Sequence, residues 1–271
     1  MDVLPYRCVA EKQDCCTPII AHIPHSATAI PQQLRQSIVL GDADLRQQII
    51  KLTDWHTEAL FSWVSDLGGS LFINTISRLA FDPERFEDDA SEPMARVGQG
   101  AFYTQTTDGA LLARFSEADR QTRVKELYEP YHAGLTALVA STLETHGCAV
   151  ILDCHSFATV PLPSEPDQSP NRPDICIGTD PFHTPEPITR GLVEGFRAEG
   201  LSVAVDAPFA GTLVPLAYLG TDQRVISVMI EVRRGLYCDE STGAILSGFD
   251  AFRTLLERVI RPVLSNRQHP A

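Results

Sequence analysis

The segment AVILDCHSFA, residues 149–158, constrains this chain more than any other. Ala149, Val150, Ile151 and Leu152 form an unbroken apolar run with β-branched members, the pattern of a central strand covered on both faces. The run ends in Asp153, Cys154, His155 and Ser156, a cluster of proton carriers and metal donors. Open α/β sheets bind ligands just beyond the carboxyl ends of such strands. A plain polar turn capped by Asp153 would read the same way locally, so the other strand ends have to decide.

The rest of the chain supplies those ends. TPIIAHIPHSA predicts a strand over Pro18–Ile23 followed by a loop. Leu45, Ile49, Leu52, Leu60, Trp63, Val64 and Leu67 recur at helical spacing, predicting a helix from about Ala43 that Gly68 and Gly69 stop. SLFINTIS, 70–77, is the next strand, and 83–115 is a long excursion of the kind that is more often functional than idle. A long helix opens at Ser116, kinks near Pro130 and closes at Gly147. DICIGT, LSVAVD and RVISVMIEV read as strands, with helices over 185–199 and 247–265. This alternation predicts a three-layer α/β/α sandwich on a mostly parallel, mixed sheet, with all of 1–271 in one domain.

Composition excludes several roles. A formal net charge of −13 argues against nucleic acid and against anionic lipid as partners. No apolar stretch approaches the ~18 residues of a membrane span, and the start lacks the basic-then-apolar pattern of a signal peptide. The 7 cysteines show no CxxC spacing, and the adjacent Cys15 and Cys16 are not expected to bridge each other. Reduced thiols in a cytoplasm are the expectation. Nucleotide-binding glycine motifs and the G-x-S-x-G elbow are missing as well.

Polar groups gather where strands end. His25 follows the first strand, Arg78 and Arg85 the second, His155 the third, and Glu231 ends the last in VISVMIEVRR. Asp54 lies in TDWHTEALF, where His56 and Glu58 compete with it as ligands. In a helix, positions 54 and 56 would point roughly opposite ways, so at most one faces a site. Two histidines and a carboxylate can hold zinc with a position left for water, and an unligated Glu can take that water's proton. Each histidine alone could be a surface or capping residue, and Asp54 could simply favour a helix N-terminus. Glu231 is harder to dismiss, since buried Glu is rare without a partner. Two arginines together suit a substrate carboxylate. A Cys154–His155 dyad is disfavoured, because neighbours in a strand face opposite ways. His132, His146 and His183 show no partner spacing and are expected at the surface.

Five segments in order resemble the N-formylglutamate amidohydrolase family, over residues 18 to 240: IPHSATAIP, TDWHTEALF, SRLAFDPERF, ILDCHS and IEVRRGLYCDE. These hydrolases are related in fold to zinc carboxypeptidases and aspartoacylase, so the resemblance implies a zinc-exopeptidase type of sandwich. It implies one zinc ion per chain held by His25, Asp54 and His155, with Glu231 as general base. It also implies that Arg85 grips a substrate carboxylate and that Arg78 lies nearby, holding a carboxylate or stabilising an oxyanion. The peptidases' second ligand, a Glu three residues after the first His, is Thr28 here, which is why a remote carboxylate such as Asp54 is needed; His56 remains the competitor.

Departures bear on the substrate. The family's Asn before the arginine is Glu84, and basic positions of a loop resembling PFAGTLVPLAYLG fall at Ala210 and Leu216, or Ala217 in another register. The expected activity is amide hydrolysis of an N-formyl or other N-acyl amino acid, a small-molecule partner. Loss of those basic residues suggests a less acidic one than N-formylglutamate. A zinc peptidase or cell-wall amidase on the same core, or a non-catalytic relative binding a small acidic ligand, are the rival readings. The native metal and the oligomeric state, a homo-oligomer included, stay open.

Overall fold

A computed structural model describes residues 4–9 and 17–265. Its centre is a seven-stranded sheet in the order β1-β3-β2-β4-β7-β5-β6. The strands are β1 (Tyr6–Val9), β2 (Ile19–Ile23), β3 (Ser70–Asn74), β4 (Ala149–Phe157), β5 (Ile175–Gly178), β6 (Val203–Val205) and β7 (Val225–Arg233). β2 pairs in parallel with β3 and β4, β4 with β7, and β5 with β6, whereas β1–β3 and β5–β7 are antiparallel. The expected mostly parallel, mixed sheet is present. β1 has no counterpart in the sequence reading, being a short half-exposed edge strand with little apolar signal.

Alternation along the strands sorts the core into two layers. Ile19, Ala21, Leu152, Cys154, Val228 and Ile230 face one side, packed with residues of α3 (Thr57–Phe61), α4 (Trp63–Asp66), α7 (Glu186–Ala198) and α8 (Phe249–Ser265). Ile20, Phe72, Ala149, Ile151 and Val225 face the other, packed under Tyr131, Leu135, Val139 and Leu143 of α6 (Glu129–His146). Those four α6 residues recur every fourth position, so one stripe of the helix is buried. Full burial of every β4 residue follows from cover on both faces.

Helix ends follow their chemistry. A capping box between Ser116 and Asp119 opens α5 (Glu117–Arg123), and Gly147 at φ 75° closes α6. A π-helical turn over Val124–Tyr128 joins α5 to α6 just before Pro130, whose missing N–H disrupts the regular ladder. The excursion after β3 packs Tyr103 and Leu112 against Leu45 and Leu52 of α2 (Asp42–Leu52), and Ile38, just after the short α1 (Gln32–Arg35), joins the same cluster. Among the described residues, no helix is long and apolar enough to cross a membrane. Cys15 and Cys16 lie outside the described residues.

The continuous helix expected from Ala43 to Leu67 is not formed. α2 stops at Leu52, Thr53 is extended, and His56 takes a left-handed conformation at φ 62° before α3 begins. Tertiary hydrogen bonds hold this break: Asp54 N donates to the His25 carbonyl at 3.0 Å, Tyr237 Oη to the Trp55 carbonyl at 2.9 Å, and Trp55 Nε1 to the Ile50 carbonyl at 3.0 Å. Partners as distant in sequence as His25 and Tyr237 leave no trace in local periodicity.

Candidate functional site

At the carboxyl ends of β2, β4 and β7 the α6 face of the sheet changes character. The alternation that places Ile20, Ile151 and Val225 under α6 continues into His22, Asp153, His155 and Glu231. In the ladder, His22 pairs with Asp153 and His155 with Glu231. The unbroken apolar run ends in proton carriers because one face of the strand stops being core and becomes the floor of a cleft. Cys154 points the other way, its Sγ 3.1 Å from the Leu152 carbonyl, so no Cys–His dyad forms.

The break after α2 brings Asp54 to this floor. Asp54 Oδ2 lies 3.2 Å from His155 Nδ1 and 3.5 Å from His25 Nδ1, and the two Nδ1 atoms are 3.2 Å apart. His56 turns away, its Nε2–H donating to the Gly243 carbonyl at 2.7 Å, and Glu58 pairs with Arg7. Gly243 sits at φ +77°, where an added Cβ would approach Trp55 Cε2 to 2.7 Å. Gly243→Ala is therefore expected to cost about 1–3 kcal/mol by overpacking. A lower melting temperature, with looser metal binding because the 53–56 turn carries Asp54, is the outcome to measure.

Each histidine is oriented by its far nitrogen. His25 Nε2–H donates to Asp82 Oδ1 at 2.8 Å. His155 Nε2 lies 3.1 Å from both Asp153 Oδ1 and Glu84 Oε1. Carboxylates on the Nε2 side favour protons there, an arrangement that would free both Nδ1 atoms, beside the Asp54 carboxylate oxygen, to donate to a cation. Three buried donors so close repel unless a cation lies between them. Tetrahedral zinc with bonds of about 2.0–2.1 Å would place its ligands about 3.3 Å apart. The set fits such an ion. Without one, burial opposes charge on His155, but Glu84 and Asp153 raise its pKa well above the usual value. Burial likewise opposes ionisation of Asp54, yet His155 and His25 hold it below the ordinary carboxylate range.

An ionic layer surrounds the triad. Asp82 Oδ2 accepts from Arg78 Nη2 at 2.9 Å and from Tyr103 Oη at 2.8 Å. Arg85 Nε is 3.6 Å from that oxygen and is buried with no hydrogen-bond partner. Arg234 donates to the Lys51 and Ser156 carbonyls and comes within 3.7 Å of Asp54. Its neighbour Arg233 pairs with Asp174. Glu231 Oε2 is buried without a hydrogen-bond partner.

Burial pushes the Glu231 carboxyl up to about 8 from 4.5, against the opposing charge of His155. In metal-stripped protein, the stability contributed by its neutral form is complete below about 4.5 and is lost as pH rises toward about 8. Melting temperatures between those values should fall more steeply with pH for wild type than for Glu231→Gln. Parallel slopes would mean that Glu231 is already ionised.

A cavity of about 550 Å³ opens onto these groups, lined also by Phe86, Met94, His132, Ala210, Leu213 and Leu216. His132, expected at the surface, is half-buried in this lining, and His146 is also half-buried, near the end of α6. His183, expected at the surface too, is buried, with Nδ1–H donating to the Val225 carbonyl and Nε2 accepting from Gly220 N. His22, Asp82, Tyr103 and Arg234 were not singled out in the sequence. For His22 a signal existed: a histidine inside an all-apolar strand needs a partner just as Glu231 does.

Fold and site together define an α/β sandwich protein with a histidine–carboxylate cleft at the strand ends of its sheet. The chain belongs to the N-formylglutamate amidohydrolase family, whose family model matches residues 17–238. The N-formylglutamate deformylase of Pseudomonas aeruginosa is 27% identical over 233 residues, covering 82% of this chain and 83% of that protein. That of Pseudomonas putida is 25% identical over 231 residues, covering 83% of each. The crystal structure of an N-formylglutamate amidohydrolase from Ralstonia eutropha superposes with a TM-score of 0.84 at 25% identity, covering 98% of this chain and 99% of that one. A gene product of Agrobacterium tumefaciens shares the fold, with a TM-score of 0.70 at 18% identity over 98% and 97% of the two chains.

Proposed function

We propose that this chain, as one hydrolase domain, is a metal-dependent amidohydrolase cleaving the amide bond of an N-formyl or other N-acyl amino acid. The observation that carries this reading is the meeting of two histidine Nδ1 atoms and a carboxylate oxygen beside an unpartnered Glu231, in a cleft of this family's fold. The relatives named N-formylglutamate deformylase support the substrate type.

His25 Nδ1, His155 Nδ1 and Asp54 Oδ2 would hold the ion, for which zinc suits the N₂O donor set. When bound, the ion supplies Lewis-acid polarisation of the scissile carbonyl and acidifies water. Glu231 accepts a proton from the attacking water as the new C–O bond forms. It returns that proton to the leaving nitrogen as the C–N bond breaks, so an N-formyl substrate yields formate and a free amino acid. Arg85, whose side chain makes no hydrogen bond to the described residues, binds the substrate carboxylate as a fork. Arg78, fixed by Asp82 and Tyr103, lines the cleft where oxyanion charge would develop. Asp82 and Asp153 orient the two imidazoles.

The test is release of free amine from a panel of N-formyl and N-acyl amino acids, with bound metal counted on the same sample. Chelator should remove both metal and turnover, and added zinc should restore both. Full turnover in metal-free protein would end the metal mechanism. Zinc-loaded protein that hydrolyses no panel member but cleaves peptides would move the chain to the peptidase reading.

A further inference from the structure

The cleft's charges are unevenly committed. Its lining holds the cationic side chains of Lys51, Arg78, Arg85 and Arg234. Lys51 pairs with Asp108 at 2.8 Å, Arg78 is bound by Asp82 and Tyr103, and Arg234 is bound by two main-chain carbonyls and Ser156 Oγ. Arg85 alone among the four makes no hydrogen bond to the described residues, its nearest carboxylate oxygen being 3.6 Å away. One guanidinium fork matches one carboxylate.

The remaining wall does not welcome a second anion. Glu84 already places a carboxylate in the lining, 3.1 Å from His155. His132 gives one ring nitrogen to the Pro83 carbonyl, and its Nε2 is buried with no partner. Burial takes its pKa down to about 4, so the ring presents a lone pair rather than a charge at neutral pH. Phe86 and Leu216, also in the lining, are apolar side chains left 48% and 64% exposed, surface that a neutral substrate group would cover.

Resting on the amidohydrolase reading, we propose that this cleft selects substrates with one carboxylate and an uncharged side chain, and disfavours dicarboxylic N-acyl amino acids. A second carboxylate would lose its water beside Glu84 and apolar rim residues with no free cation to meet it.

The glutamate–glutamine pair isolates charge at nearly constant size. With zinc-loaded full-length protein, kcat/KM for N-formyl-L-glutamine and N-formyl-L-methionine should exceed that for N-formyl-L-glutamate by at least about tenfold. Leu216→Arg, at an exposed rim position, should raise kcat/KM for N-formyl-L-glutamate by about tenfold with no matching gain for the neutral substrates. Equal or better use of N-formyl-L-glutamate by wild type would overturn the proposal. If Lys51→Met abolishes such a preference, Lys51 is the second carboxylate's partner. Calorimetric binding of the same compounds to zinc-loaded Glu231→Gln protein keeps the two readings separable. Preferential binding of the neutral compounds without turnover in wild type would support the selection while refuting amide hydrolysis. Tighter binding of the dicarboxylate would refute the selection whatever the turnover.

Discussion

Glu231→Gln is expected to keep its metal and its fold while losing a factor of about 10²–10⁴ in kcat, with much less change in KM. The substitution preserves shape and removes the basic oxygen. Glu231 ends β7 across the ladder from His155, and its Oε2 has no hydrogen-bond partner. A buried carboxylate without a partner is costly, and the proposed role in proton transfer would account for its presence. If Glu231 were instead a metal ligand, Gln would lose zinc together with activity. As a mere structural partner it would lose stability and keep turnover per folded molecule. Zinc content, melting temperature and kcat on one purified variant separate these outcomes, and near wild-type kcat with zinc bound would end the mechanism.

His25→Ala and His155→Ala should each remove most of the bound metal, since a site with three protein ligands has no redundancy. Asp54→Ala should do the same. His56→Ala should retain metal, because its Nε2 is engaged by the Gly243 carbonyl rather than turned toward the triad. Asp82→Asn should weaken metal binding by about 10–100-fold, the usual cost of losing the carboxylate that orients a ligand histidine. Metal per chain, measured after dialysis against a weak chelator, reads all five variants together. Full occupancy in His25→Ala or His155→Ala would remove that residue from the site, and loss in His56→Ala alone would move the third ligand there.

Much of the candidate site is legible in the sequence. His25, His155 and Glu231 stand at the ends of apolar strands, and in a layered α/β sheet those ends fall along one edge whatever the loops do. Arg78 and Arg85 follow from the same logic, and the order of the family's segments supplied their expected roles. Asp54 was legible as a residue type in a resembling segment, but its periodicity pointed to a helix that does not form. Helical spacing on both sides of Thr53–His56 hides a break made by Tyr237, Gly243 and His25. Such contacts come from up to 187 residues away, beyond the reach of any local pattern.

The sequence by itself determined the layered α/β class and which strand ends would carry histidines, carboxylates and arginines. These depend on burial periodicity and residue type, which are local properties. Only the tertiary structure decided the turn that presents Asp54 instead of His56, the burial of His183, the partners of Arg78 and Arg234, and which of the cleft's cationic side chains makes no hydrogen bond to the described residues. Those outcomes depend on which distant groups reach a given atom first. Competition among hydrogen-bond and charge partners is settled in three dimensions, because a buried polar group binds whatever partner lies within about 3 Å.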